Sequence, residues 1–266
     1  MPIKVPKEIA KAMAECAIPK TIMSIDRLFI LALFAGVYIA FGGILMTTVK
    51  DGAATYLGTG LSNFIGGAVF SVGLMLVVIA GAELFTGNCL VPMGVLEKLV
   101  PVSGLVKNWI VVYAGNVVGS LLIVGLMFFS GLYGSPGALT SMGTVGVAVS
   151  MGKSTLGTSM NGLIMAFCRA VLCNWLVCLA VWLALSSDST TGKIFSCFFP
   201  IMAFVASGFE HSIANWYLIP IGILLDSSIN IVGATMNLIV VTIGNIIGGA
   251  FFVGFLYWYV YLRGSE

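Results

Sequence analysis

Long apolar runs constrain this chain more than any other feature, because each is about as long as a bilayer is thick. Six of them follow one another, at 28–49, 63–99, 105–132, 160–185, 194–225 and 231–262. A helix of roughly 20 apolar residues crosses the hydrocarbon layer. With 59% hydrophobic and 8% charged residues and a mean hydropathy of +1.11, the chain lacks the composition of a soluble domain. The sequence therefore predicts an all-α integral membrane protein with six transmembrane helices.

Two of these runs contain ionisable and helix-breaking residues in their middle. The run 63–99 is too long for one straight crossing and carries Glu83, and the run 194–225 carries Glu210 and His211, the only histidine in the chain. An ionisable group at membrane depth is a functional-site hypothesis by default. Backbone freed by a helix break is tolerated there only when it is buried in protein or lines a cavity. We therefore predict that helices 2 and 5 are broken around a polar cavity.

An internal repeat relates the two halves of the chain. Residues 111–126 match residues 240–255 without gaps at seven of sixteen positions, including both glycines of a Gly-x-x-x-Gly spacing that lets helices pack closely. Two further matches lie at an offset of 127: Glu83 with Glu210, and Asn88 with Asn215. Three spans per half is an odd number, so the second half is expected to be inverted, with the site between the broken helices. Half-helix N-termini favour an anion.

Lys and Arg are unevenly distributed over the connections between the runs. With six spans, nine of them fall on the side of both termini and two on the other, which predicts cytoplasmic termini. The first segment reads as an amphipathic helix that is either a surface anchor or a lid over a pore. The predicted division is a cytoplasmic helix at 1–27, a three-helix repeat at 28–132, an extracytoplasmic connection at 133–159 and an inverted three-helix repeat at 160–266.

Other classes of function find little support in the composition. A net charge of +2 indicates no nucleic-acid partner, and one histidine with six cysteines in no Cys-x-x-Cys pattern predicts no metal and no cofactor. A membrane enzyme built on Glu210 and His211 would need a nucleophile or more metal ligands. A neutral-solute channel would show paired Asn-Pro-Ala breaks or a histidine pair, and neither occurs. The remaining hypothesis is a path for a small monovalent anion and protons.

Four motifs resemble those of the formate/nitrite transporter family, and the resemblance covers nearly the whole chain. They are Gly-Ala-Glu-Leu-Phe-Thr-Gly-Asn at 81–88, Phe-Val-Ala-Ser-Gly-Phe-Glu-His-Ser at 204–212, Lys-Asn-Trp leading into Gly-Asn at 107–116, and Leu-Cys-Asn-Trp-Leu-Val-Cys at 172–178. The resemblance implies an aquaporin-like six-helix protomer, a homopentamer and the inner (plasma) membrane of a prokaryote. It implies formate as the most favoured anion, with nitrite and hydrosulfide left open, and a gating role for the N-terminal helix.

The same resemblance implies roles for individual residues. Thr86 would lie in the break of helix 2 and His211 in that of helix 5, with Asn174 near the histidine. The positions expected to narrow the path are Phe70, Leu74, Leu84, Phe85 and Phe204. A positive charge in the outer vestibule would come from Lys153 or from Arg169.

The chemistry of these polar residues leaves alternatives open. A histidine can exchange a proton near neutral pH, so His211 would protonate a weak-acid anion, attract it as a cation, or only hold the broken backbone as a neutral ring. Thr86 would donate to the anion or to His211, or cap a helix. Glu83 and Glu210 are expected to accept hydrogen bonds from the backbone N–H groups that the breaks expose, with Asn88 and Asn215 as further polar residues there.

Overall fold

The structure, a computed structural model, describes residues 4–264, and most of them belong to helices. The α-helices are α1 (Pro6–Ile22), α2 (Ile25–Lys50), α3 (Ala53–Phe70), α4 (Val72–Leu76), α5 (Pro92–Leu96), α6 (Val102–Phe129), α7 (Ser141–Leu156), α8 (Met160–Leu185), α9 (Thr190–Ala206), α10 (Ser212–Leu225), α11 (Ile231–Ile246) and α12 (Leu256–Tyr261). The other elements are π-helical segments at Val77–Gly81 and Ile247–Phe255, a 3-10 helix at Gly87–Leu90, and strands β1 (Gly134–Ser135) and β2 (Ala138–Leu139). The all-α prediction is confirmed, apart from the small antiparallel hairpin that β1 and β2 form.

Within residues 4–264, five helical stretches are long and apolar enough to cross a bilayer. They are Ile25–Lys50, Ala53–Gly81, Val102–Phe129, Met160–Leu185 and Ile231–Tyr261. The predicted fifth run, 194–225, corresponds to the two shorter apolar helices α9 and α10. The second run was expected to begin at position 63, but its helix begins at Ala53. The chain is a multi-pass membrane protein.

Glycines bring two pairs of long helices into close contact. A Cβ added at Gly119 of α6 would collide with the carbonyl oxygen of Leu33 in α2, and one added at Gly248 would collide with that of Val171 in α8. Only the absence of a side chain allows backbones to approach so closely. The glycines of the sequence repeat therefore allow α6 to pack closely against α2, and the π-helical segment Ile247–Phe255 to pack closely against α8.

Two segments inside the bundle lie outside any helix. Residues 82–86 separate the π-helical segment from the 3-10 helix, and residues 207–211 separate α9 from α10. A glycine with positive φ precedes or begins each segment, Gly81 (φ 86°) and Gly208 (φ 72°). This left-handed conformation costs glycine little and most other residues much more. The two glycines therefore allow the chain to leave the helix at corresponding places.

The remaining elements pack on the ends of the bundle. Helix α1 lies against α5 and α6 and buries Ile9, Met13 and Ala17. The connection 133–159 is ordered: it contains the hairpin and α7, which packs against α10 and α11. Both α1 and α7 carry a lysine that reaches the site described below.

Candidate functional site

Asn116 of α6 holds the first non-helical segment in place. Its side-chain Oδ1 accepts the backbone N–H of Phe85 (2.8 Å), and its Nδ2 donates to the carbonyl oxygens of Ala32 (2.7 Å) and Glu83 (2.9 Å). Asn116 is fully buried. One amide side chain thus satisfies two backbone groups that the helix break leaves without helical partners, those of Glu83 and Phe85, and ties them to the carbonyl oxygen of Ala32 in α2.

Asn245 of α11 does the same for the second segment. Its Oδ1 accepts the backbone N–H of Ser212 (2.8 Å), and its Nδ2 donates to the carbonyl oxygens of Ala170 (2.8 Å) and Glu210 (3.0 Å). The expectation that Glu83 and Glu210 accept the exposed backbone N–H groups is therefore wrong. An asparagine supplies both a donor and an acceptor, as a break requires, whereas a carboxylate only accepts.

The carboxylate of Glu83 forms an ion pair with a lysine of α1. Lys20 Nζ donates to both Glu83 oxygens (2.7 and 2.8 Å) and to Asn88 Oδ1 (3.0 Å). Asn88 Nδ2 in turn donates to Glu83 Oε2 (2.7 Å) and to Asn108 Oδ1 (3.0 Å), and Asn108 Nδ2 donates to the carbonyl oxygen of Lys20 (3.1 Å). The network closes on itself and ties α1 to the first non-helical segment.

The carboxylate of Glu210 forms the corresponding pair with a lysine of α7. Lys153 Nζ donates to Glu210 Oε2 (2.9 Å), and Asn215 Nδ2 donates to the same oxygen (2.7 Å) and to Asn237 Oδ1 (2.9 Å). Asn237 Nδ2 donates to the carbonyl oxygen of Lys153 (3.1 Å). The two networks differ at the lysine. Lys20 donates to both oxygens of its glutamate and to Asn88 Oδ1, whereas among residues 4–264 Lys153 donates to one glutamate oxygen and nothing donates to Asn215 Oδ1.

Sequence reasoning missed three members of these networks, Lys20, Asn108 and Asn237. A signal existed for the two asparagines, since Asn237 follows Asn108 by the same 129 positions that relate Asn116 to Asn245. No such signal marks Lys20, because its distance from Lys153 fits neither repeat offset. Only the packing of α1 brings it to Glu83.

His211 contacts both its own helix and the first non-helical segment. Its Nδ1 accepts the backbone N–H of Ala214 (3.0 Å), which makes it the N-cap of α10, and its Nε2 lies 2.9 Å from Thr86 Oγ1. A backbone N–H can only donate, so Nδ1 carries a lone pair. This geometry assigns the neutral ring with its proton on Nε2, donating to Thr86. Both side chains are buried.

Four of the predicted path residues surround His211. Phe70, Leu74, Leu84 and Phe204 line a cavity of only about 10 Å³ together with it, and the ring of Phe204 stacks on the imidazole at 5.8 Å. We call this the neck. Phe85 is not part of it: among described residues, its ring packs edge-on against Tyr113 (4.9 Å) and Trp109 (6.0 Å). Neighbouring side chains in non-helical backbone leave the chain in different directions, and Leu84 takes the neck side.

The neck lies between two larger cavities. The Lys20 cavity, about 410 Å³, includes Lys20 and Glu83 in its lining and shares Leu74 and Leu84 with the neck. The Lys153 cavity, about 310 Å³, includes Lys153 and Glu210 and shares Phe70, Phe204 and His211 with the neck. A leucine pair and a phenylalanine pair therefore close the two sides of His211.

The last predicted residues lie around this path. Asn174 donates to the carbonyl oxygens of Thr86 (3.1 Å) and Asn245 (2.7 Å), so it supports the threonine and not the histidine. Arg169 lines the Lys153 cavity, half-buried, and forms no ion pair among residues 4–264. The same described part of the chain contains no group of three or more His, Cys, Asp or Glu side chains placed to hold a metal ion.

Known proteins are similar to this chain over nearly its whole length. A family model described as "Formate/nitrite transporter" matches residues 7–259. The chain is 45% identical to the "Probable formate transporter" of Methanothermobacter thermautotrophicus, with 98% of each sequence covered. It is 38% identical to the "Formate channel FocA" of Escherichia coli strain K12, covering 98% of this chain and 95% of that protein.

Two solved structures are similar in fold. One is an "FNT family ion channel", with a TM-score of 0.84 and 29% identity over 95% of this chain and 98% of that one. The other is a "Pentameric formate channel with formate bound", with a TM-score of 0.74 and 35% identity over 90% of this chain and 98% of that one.

Proposed function

The chain belongs to the formate/nitrite transporter family, and on that premise we propose that it conducts formate across the membrane through the neck. The observation that carries this proposal is a closed apolar neck lined by His211, whose Nε2 pairs with the buried Thr86 hydroxyl, between two cavities that each contain half-buried lysines. Relatives named as formate transporters and channels favour formate among small weak-acid anions.

We further propose the architecture that the sequence repeat predicts. The protomer is an aquaporin-like bundle of six spans, in which broken helices 2 and 5 meet at the neck and the half 160–266 is inverted relative to the half 28–132. This architecture is supported by Asn116 and Asn245, each of which bonds one backbone N–H and two carbonyl oxygens at corresponding places in the two halves. The similarity to a pentameric channel supports a homopentamer in which every protomer has its own path.

The orientation follows from the distribution of Lys and Arg. We place both termini in the cytoplasm of a prokaryotic cell, so the Lys20 cavity opens inward and the Lys153 cavity outward. Helix α1 contributes Met13, Cys16, Ala17 and Lys20 to the wall of the Lys20 cavity. This position makes α1 a lid of the inner cavity, attached by the Lys20–Glu83 pair.

The neutral state of His211 determines the mechanism. Adding a proton at Nδ1 would break its bond to the Ala214 N–H and place a cation at the positive end of α10. The permeating molecule therefore meets a neutral hydrogen-bond donor, not a cation. Among described residues, the Thr86 hydroxyl pairs with His211. Its oxygen accepts the N–H of the ring, which leaves its own O–H able to donate to the permeating molecule.

A charged formate does not cross such a neck cheaply, because an apolar environment disfavours the ionised form of a carboxylate. We propose that formate takes up a proton in the cavity and crosses as formic acid. During the crossing, Thr86 donates to its carbonyl oxygen. The proton is released to water on the other side, so the net movement is one formate and one proton and carries no charge. No bond to the protein forms, and the protein acts as a transporter without a catalytic group.

Uptake into proteoliposomes tests this proposal. Formate flux should exceed chloride flux and should rise as the pH on the loading side falls. Added nitrite or hydrosulfide should reduce formate flux to the extent that each enters the same path. His211→Asn keeps an N-cap acceptor and should fold normally but lose most of the flux, whereas His211→Phe also loses the cap. Equal flux in His211→Asn would remove the imidazole from the mechanism. Chloride flux equal to formate flux would refute the substrate.

A further inference from the structure

The two lysines beside the neck differ in how many of their N–H donors are occupied. An ammonium group has three, and Lys20 uses all of them, on the two Glu83 oxygens and on Asn88 Oδ1. Lys153 makes one side-chain hydrogen bond, to Glu210 Oε2. Lys20 has no donor left for an anion without breaking its network, whereas Lys153, which lines its cavity, has two donors without a partner among residues 4–264.

A second lysine lines the Lys153 cavity, and sequence reasoning did not assign it. Lys50, the last residue of α2, runs its methylene stem along Gly66: a Cβ there would lie 3.0 Å from Lys50 Cδ. Its Nζ donates to the neutral amide oxygen of Asn63 (2.8 Å). Among residues 4–264 no carboxylate pairs with it. Because the Asn63 amide is neutral, it does not offset the charge of this ammonium, which stays available to a ligand.

The charged side chains that line the two cavities make the same contrast. The Lys153 cavity contains three cations, Lys50, Lys153 and Arg169, against one carboxylate, Glu210. The Lys20 cavity contains two cations, Lys20 and Lys193, against one carboxylate, Glu83. The net charge of these side chains is therefore +2 in the Lys153 cavity and +1 in the Lys20 cavity, where Lys193 is a half-buried lysine that forms no ion pair among residues 4–264.

We propose that the Lys153 cavity contains a binding subsite for a small carboxylate or oxoanion, that Lys50 is its specific cationic contact, and that this subsite holds an anion more tightly than the Lys20 cavity, whose net charge is lower. The inference rests on the proposed function but adds a difference between the two directions of transport. An anion entering from the Lys153 side is held before the neck more tightly than one entering from the Lys20 side. The half-saturating concentration is therefore lower from the Lys153 side.

Directional flux measurements test this subsite. Formate uptake is measured in right-side-out and inside-out membrane vesicles, for the unmodified protein, Lys50→Gln, Lys50→Arg and the matched Lys20-cavity control Lys193→Gln. The unmodified protein should half-saturate at a lower concentration from the Lys153 side. Lys50→Gln should raise that value about 3- to 10-fold and weaken its dependence on salt, with little change from the opposite side. The half-saturating concentration from the Lys153 side should stay near that of the unmodified protein in Lys50→Arg, which keeps the charge, and should be unchanged in Lys193→Gln.

The outcomes separate the subsite from the function itself. Normal formate flux with the same half-saturation in Lys50→Gln and the unmodified protein would overturn the subsite and leave the proposed function intact. Absence of formate flux in the unmodified protein would overturn the proposed function. An equal rise from both sides would also overturn the inference, because it would indicate a general effect of net charge. Recovery of purified protein at the same yield excludes misfolding of the variant, and Lys50→Arg provides the independent check.

Discussion

The polar networks around Glu83 and Glu210 use four residues of the same three types with nearly the same hydrogen bonds, yet they carry different chemistry. Each contains a lysine, a glutamate and two asparagines, and a third asparagine holds the adjacent backbone. The differences lie beside this frame. Leu84 follows Glu83 where His211 follows Glu210. Leu31 and Arg169 also occupy corresponding positions, because their carbonyl oxygens accept the N–H groups of Glu83 and Glu210, but one side chain is apolar and the other is a cation. The repeated residues position the backbone, and the unequal ones provide the chemistry.

The largest expected effect comes from the backbone-holding asparagines. Asn116→Leu and Asn245→Leu each leave two buried backbone groups at a helix break without a partner, at about 1–3 kcal/mol for each group, and also remove a bond to a carbonyl oxygen of α2 or α8. Both variants should lose several kcal/mol of stability, or fail to assemble, to a similar extent. Thermal unfolding in detergent measures this. A large loss in one variant and none in the other would show that the two halves are not held alike.

The next effect concerns the close helix contacts. Gly119→Ala and Gly248→Ala each place a Cβ against a carbonyl oxygen of the facing helix, and overpacking of this kind costs about 1–3 kcal/mol. Gly125→Ala is the matched control, because its Cβ would meet no atom within 4 Å. Melting temperatures should fall for the first two variants and stay level or rise for the control. A fall for Gly125→Ala would place the cause in helix conformation and not in the contact.

A smaller difference is expected between the paired lysines. Lys20→Met removes three hydrogen bonds of a partly exposed ammonium and Lys153→Met removes one, so Lys20→Met should destabilise more, by about 1–2 kcal/mol. Chemical or thermal unfolding of the two variants compares them. The Glu210 carboxylate is the more buried of the two, so a greater loss for Lys153→Met would show that burial outweighs the number of bonds.

The smallest expected effect is a change in formate half-saturation at the position that is Leu31 in one half and Arg169 in the other. Arg169→Leu should raise the half-saturating formate concentration from the Lys153 side about 2- to 5-fold, because a cation is removed from that cavity. Leu31→Arg, in the lining of the Lys20 cavity, should lower the value from that side. Directional vesicle uptake reads out both. Opposite or absent changes would separate these residues from anion entry.

The sequence predicted the helical membrane fold, because apolar length carries that information. Phe70, Leu74, Leu84 and Phe204 line one cavity with His211, and their role in narrowing a path stays a prediction. The sequence could not show which way a side chain leaves a non-helical segment, and Phe85 turned to Tyr113. It also could not show that α1 folds back on Glu83, because that contact joins residues 63 positions apart in elements of different type. The inverted arrangement and the six crossings remain predictions.

The tightness of the neck has a consequence for the energy supply of the membrane. At about 10 Å³ it has room for at most one water molecule, so no file of hydrogen-bonded water can connect the two cavities. Protons that would otherwise hop along such a file have no conductor. Under the mechanism proposed above, the proton gradient across the membrane does not leak through an empty path, and protons cross only together with a substrate molecule.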